Sequence, residues 1–329
     1  MTDQKKVRWA ILGAGKIAHK FAQDFAATER GELVAIASRD QDRAKAFASQ
    51  YNISNVYNYD ELYQSNEVDA VYIATPHNFH LEQSLQCLNA GKAVLCEKPI
   101  TINDEELKKL VAAAKEKNVF LMEAMWTYFL PAFRQAKAWL DSGRIGTLKM
   151  LEADFGFAMP YDPQGRLYNA ALAGGSLLDL GVYNIAFATY FTNTQPASII
   201  ASGKLTQTGV DESTCMILKY NAVMASLNTS MVVRLKNKAL LFGDGGYIEI
   251  PEFWKARTAT LYNSEHEIVE TFNDNRTTWG YNFEIQEATD AILTGAKESR
   301  MVPHTISTTL QEIMSEVRRQ IGFVYPMEK

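Results

Sequence analysis

Residue types that build metal sites and hydrolase active sites are scarce in this sequence. The 329 residues include three cysteines and five histidines. Only His77 and His80 are closely spaced, and no Cys or acidic residue in the same turn completes a ligand set. No G-x-S-x-G motif marks the nucleophile of a hydrolase. We therefore expect no metal site and no Ser-His-Asp chemistry.

Long apolar runs and an excess of basic charge are also lacking. We find no stretch apolar enough to span a bilayer, and the run Val7–Leu12 is too short for a signal peptide. The net charge of −5 and the pI near 5.7 give no electrostatic footprint for nucleic acid or an anionic membrane. An odd number of cysteines without metal-ligand spacing suits a reducing compartment. These features predict a cytoplasmic protein whose partners include neither nucleic acid nor membrane.

The first third of the chain alternates short β-rich runs with helical patterns, which is typical of βαβ units and a parallel sheet. Asn103, with Glu106 three residues later, predicts the start of one helix, which runs to about Lys117. The predicted strands are Val7–Leu12, Leu33–Ala37, Ala70–Ala74, Ala93–Cys96 and Val119–Met122. The other predicted helices are Ile17–Ala27, Asp42–Gln50 and His80–Asn89.

After about residue 125 the pattern changes to alternating apolar and polar residues, which favours an antiparallel sheet with one face covered by helices. The alternating stretches are Leu148–Phe157, Ile199–Thr206, Cys215–Tyr220 and Ala225–Val232, and the predicted helices are Ala132–Leu140, Phe283–Leu293 and Ile306–Ile321. The predicted fold class is therefore α/β plus α+β. A Rossmann domain with a parallel sheet spans residues 1–124. An α+β domain with an open, mainly antiparallel sheet spans 125–329; the family resemblance described below implies that it serves substrate binding and oligomerisation.

A glycine turn follows the first predicted strand. Gly13, Gly15 and Ala18 match G-x-G-x-x-G/A, with Lys16 and Ile17 between them. In a dinucleotide site the first glycine permits a tight turn, and the second lets the backbone approach a pyrophosphate at the helix N-terminus. The motif directly after a strand, within a βαβ series, predicts dinucleotide binding; the alternative is a helix that merely begins with glycine.

The tip of the second strand bears on the choice between NADP and NAD. An NAD site places an acidic residue there for the ribose 2′-hydroxyl, whereas this chain has Ser38 and Arg39. A hydroxyl and a guanidinium suit a 2′-phosphate, and Arg43 adds charge one helical turn on. We predict NADP as the cofactor, with NAD possible. The alternative is that Arg39 is a solvated loop residue and Asp40 a helix N-cap.

Two further motifs carry acid–base side chains. Glu97, Lys98 and Pro99 follow the predicted strand Ala93–Cys96 directly, and open α/β sheets bind ligands at the carboxyl ends of their strands. Far downstream, Asp179 and Tyr183 are four residues apart, so on an α-helix they share one face. Alone, the first motif is also compatible with a surface lysine that follows a strand, and the second with an ordinary buried hydrogen-bonded pair.

Taken together, these motifs resemble the Gfo/Idh/MocA family of oxidoreductases, and the resemblance runs nearly end to end. It rests on GAGKIA at 13–18, IATPHNFH at 73–80, CEKP at 96–99, MEAMWTYFLPA at 122–132 and GGSLLDLGVYN at 174–184. The MEAMW stretch and the tyrosine at 183 look most like the branch that contains the dihydrodiol dehydrogenases and NADP-dependent D-xylose dehydrogenases. Many family members carry His where this chain has Tyr183.

The resemblance implies a hydride-transfer site in the cleft between the two domains. Lys98 would hydrogen-bond the substrate hydroxyl, Tyr183 would be the base in oxidation and the acid in reduction, and Asp179 would orient Lys98 or a substrate hydroxyl. Free tyrosine has a pKa near ~10, so Tyr183 needs stabilisation as phenolate to act near neutrality. The resemblance also implies a homodimer or homotetramer.

The remaining candidate residues lie around these motifs. Thr75, Pro76 and His80 belong to a turn that would line the cofactor site, as would Glu97; for His80 a polar helix start is an equal alternative. Three other residues are candidates for substrate contact: Trp126, Arg166 and Trp279. Core packing explains Trp126 equally well, and a solvated loop explains Arg166.

Two functions from different classes fit these residues. The first is an NADP-dependent dehydrogenase that acts on an aldose or a vicinal diol and uses hydride and proton transfer. The second is a catalytically silent NADP-binding sensor of the same fold. The presence of Lys98, Asp179 and Tyr183 together favours the enzyme.

Overall fold

The computed structural model describes residues 5–328, and these residues form fourteen strands and nine α-helices. In chain order they are β1 (Val7–Leu12), α1 (Lys16–Phe25), β2 (Gly31–Ala37), α2 (Gln41–Tyr51), β3 (Asn55–Tyr57), α3 (Tyr59–Gln64), β4 (Ala70–Ile73), α4 (His80–Asn89), β5 (Ala93–Glu97), α5 (Asp104–Lys117), β6 (Leu121–Ala124), α6 (Pro131–Asp141), β7 (Leu148–Gly156), α7 (Val182–Thr192), β8 (Ser198–Leu205), β9 (Asp211–Lys219), β10 (Met224–Ser230), β11 (Lys238–Gly243), β12 (Gly246–Pro251), β13 (Thr258–Asn263), β14 (Ile268–Asn273), α8 (Tyr281–Leu293) and α9 (His304–Ile321).

The first sheet is parallel throughout, in the order β3-β2-β1-β4-β5-β6. Every residue of β4, β5 and β6 is buried, as expected for strands covered on both faces. The order reverses direction at β1, and ligands of such sheets bind beside the carboxyl ends of the strands at this switch point. The predicted Rossmann fold is confirmed.

Two details of the first sheet differ from the prediction. The short strand β3 and the helix α3 had no predicted counterpart, although Asn58 and Glu61 form a capping box at the start of α3. The last strand begins at Leu121 and not at Val119, because Asn118 ends α5 with a left-handed backbone, φ 53°. A strand cannot begin until the chain has left that conformation.

The second sheet has eight strands in the order β14-β13-β12-β11-β7-β10-β9-β8. The pair β7–β10 is parallel and the other pairs are antiparallel. Helix α6 packs on β12 and β13, and α7 packs on β7 and β10. Along β12 buried and half-buried residues alternate, as on a strand with one core face. The mainly antiparallel sheet is confirmed.

The described chain divides into two compact units that are not continuous in sequence. The first contains residues up to Trp126 together with Thr277–Thr308, and the second contains Thr127–Arg276 and the residues from Thr309 onward. The segment Thr277–Thr308 joins the first unit because Trp9 Nε1 donates to Thr289 Oγ1 at 3.1 Å. Asp24 also accepts from the backbone N–H groups of residues 279–281. The domain boundary between residues 124 and 125 stays a prediction.

One helical stretch, Ala170–Thr192, is long and apolar enough to cross a membrane by length and composition. The expectation that no stretch is apolar enough to span a bilayer is therefore wrong by this criterion. Of the apolar window in this stretch, 78% is buried inside the protein, and core helices of soluble proteins meet the same criterion. That the chain has no membrane partner stays a prediction.

Candidate active site

The glycine turn lies between β1 and α1 in the first unit. Gly13 has φ +105°, and a Cβ atom there would stand 3.0 Å from both the carbonyl oxygen of Ala74 and Cγ2 of Thr75. Gly15 precedes α1 in extended conformation, and within residues 5–328 no side chain caps this helix. The N–H groups of its first turn, which have no acceptor within the helix, are therefore donors of the kind that bind an anion.

The rest of the motif agrees with the same use. Ala18 is fully buried, so a larger side chain would push α1 away from the sheet, whereas Ile17 is half-buried and Lys16 is exposed. Residues 13–18 thus form a cradle that a Cβ at position 15 would begin to fill. The turn fits the pyrophosphate of a dinucleotide.

At the tip of β2, Asp40 is the N-cap of α2, as one of the alternatives expected. Its Oδ1 accepts from the backbone N–H of Arg43 at 3.0 Å and caps α2, and its Oδ2 lies 3.6 Å from Nε of Arg43. Ser38 is buried, and its hydroxyl accepts from the N–H of Asp40. The acidic residue nearest the tip is therefore engaged as a helix cap.

Arg39 is exposed but is not a simple loop residue. Its guanidinium carbon lies 5.2 Å from the ring centroid of Phe79, a cation–π contact. Burial raises the pKa of the Tyr59 hydroxyl, and the nearby guanidinium of Arg39 acts in the opposite direction. Arg39, Phe79 and Tyr59 line a pocket of about 320 Å³ together with Asp60, Tyr63, Thr75, Pro76, Glu82, Gln83 and Gln86.

This pocket adjoins the carboxyl ends of β2 and β4, next to the glycine turn. The hydroxyl of Thr75 donates to Oε1 of the buried Gln83 at 2.6 Å, which fixes the turn that contains Pro76. The rings of Phe79, Tyr59 and Tyr63 and the guanidinium of Arg39 suit an adenosine whose ribose carries a phosphate. Because β1 lies between β2 and β4 in the sheet, this pocket and the glycine turn are neighbours, as the two ends of one dinucleotide site require.

The Glu97-Lys98-Pro99 motif leaves the carboxyl end of β5. Oε1 of Glu97 accepts from the buried hydroxyl of Tyr72, and its Oε2 accepts from the backbone N–H of Lys98 at 3.2 Å. Lys98 itself is half-buried, and the Lys98–Pro99 peptide bond is cis. The carboxylate of Glu97 therefore holds the backbone that carries the Lys98 ammonium.

His80 connects this motif to the cofactor turn. It is fully buried, with Nδ1 2.9 Å from the carbonyl oxygen of Pro99 and Nε2 2.9 Å from that of Thr75. Both partners only accept, so the ring bonds to both when it is protonated at both nitrogens. His80 is the first residue of α4 and joins the two loops predicted to contact cofactor and substrate; its direct functional role stays a prediction.

Buried carboxyl groups lie beneath these loops. Oε1 of Glu123 accepts from the N–H of Ile100 at 3.1 Å, and burial raises the pKa of Glu123. Glu284 of α8 is fully buried, and neither of its carboxylate oxygens has a hydrogen-bond partner among the described residues. Burial and the charges of Glu97 and Asp24 raise the pKa of Glu284.

The candidate tryptophans of the first unit have different surroundings. Trp126 is buried and stacks on Tyr281, with centroids 4.5 Å apart and planes at 6°. Trp279 is 48% exposed; its Nε1 donates to Gln23 Oε1 at 2.8 Å, and Lys20 lies over its ring. Trp279 is thus held on the side of α1, and contact of either residue with substrate stays a prediction.

Tyr183 lies in the first turn of α7 in the second unit. Residues Leu177–Gly181 before it form a π-helical turn. Hydrogen bonds in such a turn run from residue i to i+5, so four residues are slightly less than one full turn here and slightly more than one in an α-helix. The prediction that Asp179 and Tyr183 share a face is therefore compatible with this segment and stays a prediction. Single π-turns inside helices occur frequently at functional sites.

Asp179 is paired with a loop residue. Its Oδ1 accepts from Nη1 of Arg166 at 2.9 Å, and the carboxylate is 15% exposed while the guanidinium is 40% exposed. The sequence singled out both residues but did not connect them. Arg166 is therefore not a merely solvated loop residue.

Aromatic rings stand beside Tyr183. Phe155 of β7 meets its ring edge to face at 5.6 Å, and Trp254 stacks on Phe155 at 4.1 Å. Phe157 contacts Trp254 edge to face at 5.7 Å, and both Phe157 and Trp254 are half-buried. We call Phe155, Phe157 and Trp254 the aromatic wall.

The structure thus gathers the predicted residues into two groups. The first unit brings together the glycine turn, Ser38, Arg39, Thr75, His80 and Lys98 at the carboxyl ends of its strands. The second unit brings together Arg166, Asp179 and Tyr183. Convergence of Lys98 with Tyr183 stays a prediction.

Sequence analysis missed several residues of these groups: Tyr59, Tyr72, Phe79, Gln83, Phe155 and Phe157. Phe79 was within reach, because it lies inside the stretch IATPHNFH. The others are ordinary strand and helix residues by pattern. Only the packing assigns them to a site.

Comparison with known proteins adds three findings. Residues 7–125 match the family described as "Oxidoreductase family, NAD-binding Rossmann fold", and residues 133–249 match the "GFO/IDH/MocA C-terminal domain". Trans-1,2-dihydrobenzene-1,2-diol dehydrogenase of Danio rerio is 38% identical over 98% of this chain and 99% of its own length. The protein of that name from Homo sapiens is 35% identical over 98% and 99%.

Solved structures agree with this relationship. KijD10, a 3-ketoreductase from Actinomadura kijaniata crystallised with NADP and TDP-benzene, superposes with a TM-score of 0.86. It is 28% identical, and the match covers 96% of this chain and 98% of that one.

Proposed function

Because the chain belongs to the Gfo/Idh/MocA family of oxidoreductases, we propose that it is an NADP-dependent dehydrogenase of sugars or vicinal diols. The observation that carries the proposal is the start of α7, where the phenol of Tyr183 and the ion-paired Asp179 lie with the aromatic wall nearby. The phenol of Tyr183 can exchange a proton, and the aromatic wall offers apolar ring faces. Together they suit a substrate that has hydroxyl groups and also an apolar face.

The glycine turn and the pocket of Arg39 are the residues that would hold NADP. When bound, the nicotinamide cofactor supplies the hydride acceptor in oxidation and the donor in reduction. The chain's own contribution at this end is to bind and orient: the N-terminus of α1 would bind the pyrophosphate, and Arg39 would pair with the 2′-phosphate.

Proton transfer is the chain's part in the chemistry. In oxidation the substrate hydroxyl would lose its proton to the phenolate Oη of Tyr183, and in reduction the Tyr183 hydroxyl would donate a proton to the carbonyl oxygen of the substrate. By family resemblance, Lys98 donates a hydrogen bond to the substrate oxygen. Arg166 holds Asp179 in place, so that Asp179 remains a fixed anion near the base.

The substrate class follows from the aromatic wall. Half-buried Phe157 and Trp254 offer ring faces on which a pyranose or the ring of a cyclic diol stacks. The relatives above are named dehydrogenases of trans-1,2-dihydrobenzene-1,2-diol, a vicinal diol on a six-membered ring, which supports this class for the present chain. Trp126, Arg166 and Trp279 stay proposed substrate contacts.

A turnover assay tests the proposal. NADP+ reduction is measured with D-xylose, D-glucose, inositols and trans-dihydrodiols, and repeated with NAD+. We expect turnover with at least one aldose or diol and a preference for NADP+. Tight NADPH binding without turnover of any compound would instead favour the sensor.

Substitution of Arg39 tests the cofactor choice. We expect Arg39→Ala to weaken NADP binding about tenfold to a hundredfold, since a hydrogen bond to a charged group is worth roughly 1.5–3 kcal/mol. NAD binding should change little, because NAD lacks the 2′-phosphate. Isothermal titration with both cofactors measures the effect.

Lys45→Ala is the matched control for Arg39→Ala. Lys45 is also an exposed cation, on α2, and pairs with Asp42 at 3.9 Å. The Lys45→Ala variant should bind NADP and NAD as tightly as the wild-type protein does. If Arg39→Ala weakened NADP and NAD equally, Arg39 would not be reading the 2′-phosphate.

We also propose that the protein is a cytoplasmic homodimer or homotetramer. Ile200, Ile217 and Met224 on β8, β9 and β10 share one face of the second sheet and are 65%, 42% and 46% exposed. Their apolar surface supports burial against a second copy. A monomer in sedimentation equilibrium at micromolar concentration would contradict the oligomer.

A further inference from the structure

The turn Gly174–Ser176 leads into the helix of Tyr183, and the backbone of residues 166–167 packs closely against it. A Cβ at Gly174 would lie 2.5 Å from the carbonyl oxygen of Leu167 and 2.6 Å from that of Arg166. Gly175 has φ +113°, and its N–H donates to the carbonyl of Leu167 at 2.8 Å. The turn is thus fastened to the loop that carries Arg166.

Asp211, the first residue of β9, fastens the other side of this turn. It is fully buried, and its Oδ2 accepts from the hydroxyl of Ser176 at 2.6 Å, the N–H of Leu177 at 2.8 Å and the hydroxyl of Thr214 at 3.1 Å. Its Oδ1 lies where a Cβ on Gly175 would come within 2.3 Å. Burial raises the pKa of Asp211 to about 6, so at neutral pH it is an ionised acceptor.

Tyr325, near the end of the chain, fastens the turn from a third direction. Its hydroxyl donates to the carbonyl of Gly174 at 2.6 Å, and the side chain is fully buried. The tail that carries it is itself fixed, because Arg318 of α9 forms a two-point ion pair with Glu328 at 2.6 and 2.8 Å. Glu328 also accepts from the N–H of Tyr325.

We infer that Asp211 and Tyr325 are positioning residues for Tyr183, because they fix the turn from which its helix starts. The π-helical turn Leu177–Gly181 connects the fixed point to Tyr183, so a shift at Ser176 moves the phenol. Neither residue lies in the sequence neighbourhood of Tyr183. The catalytic part of this inference rests on the proposed function; the structural part does not.

Removal of one hydroxyl tests the inference. Tyr325→Phe leaves the carbonyl of Gly174 without this donor. We expect amide hydrogen exchange in residues 174–184 to become about tenfold faster, the factor that corresponds to one net buried hydrogen bond. We further expect kcat to fall by a similar factor while KM for NADP stays within about twofold.

Tyr128→Phe is the matched control. Tyr128 is also buried, and its hydroxyl donates to the carbonyl of Ala186 at 2.8 Å, so the same kind of bond is lost from α7 beyond the turn. Exchange in residues 174–184 should then stay at the wild-type rate. Equal acceleration in both variants would mean general loosening of the helix and would overturn the inference.

Asp211 provides the second test. Asp211→Ala removes the acceptor for three donors, whereas Asp211→Asn keeps one oxygen that can accept from Ser176 and Leu177. We expect faster exchange and lower kcat in the alanine variant, with most of both restored in the asparagine variant. If Asp211→Ala does not fold, Tyr325→Phe with its control decides the question.

The two ways of failing are distinguishable. A wild-type protein without turnover on any substrate contradicts the proposed function, while hydrogen exchange still reports on the turn. Unchanged exchange in residues 174–184 of Tyr325→Phe overturns the positioning role, whatever the activity of the wild-type protein.

Discussion

Tyr183→Phe lowers kcat about 10²- to 10⁴-fold, the usual contribution of a positioned general acid or base. Phenylalanine keeps the ring and its edge-to-face contact with Phe155, so the helix start and the aromatic wall should persist. Only the proton acceptor is lost. Lys98→Met has a comparably severe effect for a different reason, because the ammonium that would hydrogen-bond the substrate oxygen is replaced by an apolar chain of similar length.

Steady-state kinetics with the best substrate, combined with NADPH titration, checks this expectation. Both variants should bind NADPH nearly as the wild type does, because neither removes the glycine turn or Arg39. Tyr190→Phe is a control, since Tyr190 is also on α7 and packs against Phe133 and Tyr128; it should retain activity. Near-normal kcat in both Tyr183→Phe and Lys98→Met would refute their assigned roles.

The fold could be predicted largely because hydrophobic periodicity is a local property. Strand β1 and helix α4 have the predicted bounds, and both sheets have the predicted character. The three residues of β3 are all half-buried, which leaves no clear apolar pattern. The grouping of α8 with the first unit depends on Asp24 capping residues 280 and 281, a contact across more than 250 residues that no local pattern contains.

In the candidate site, too, local motifs could be predicted and contacts between distant residues could not. Motifs contiguous in sequence, such as Gly13–Ala18 and Glu97–Pro99, could be recognised directly. The partners that hold them could not: Tyr72 for Glu97, Arg166 for Asp179, and Tyr325 for Gly174 each come from a distant part of the chain. The π-helical turn Leu177–Gly181 was also beyond prediction, because spacing rules assume α-helical geometry.

Gly13→Ala should abolish useful NADPH binding, and two separate effects contribute. A non-glycine residue at φ +105° is strained, at a cost of about 1–3 kcal/mol in folding stability. In addition, its Cβ would stand 3.0 Å from the backbone of Ala74 and from Thr75, so the turn must move away from the strand end it packs on. Since the pyrophosphate needs close approach to this backbone, we expect affinity to fall about a hundredfold, or about 2.8 kcal/mol.

Gly91→Ala separates strain from cofactor binding. Gly91 also has positive φ, +72°, but a Cβ there meets no atom within 4 Å, and the residue follows α4, away from the glycine turn. Thermal unfolding should show a loss of stability in both variants. Titration with NADPH should show weakened binding in Gly13→Ala alone. Equal NADPH affinity in the two variants would mean that the turn does not approach the pyrophosphate, and the assignment of residues 13–18 to the cofactor would fail.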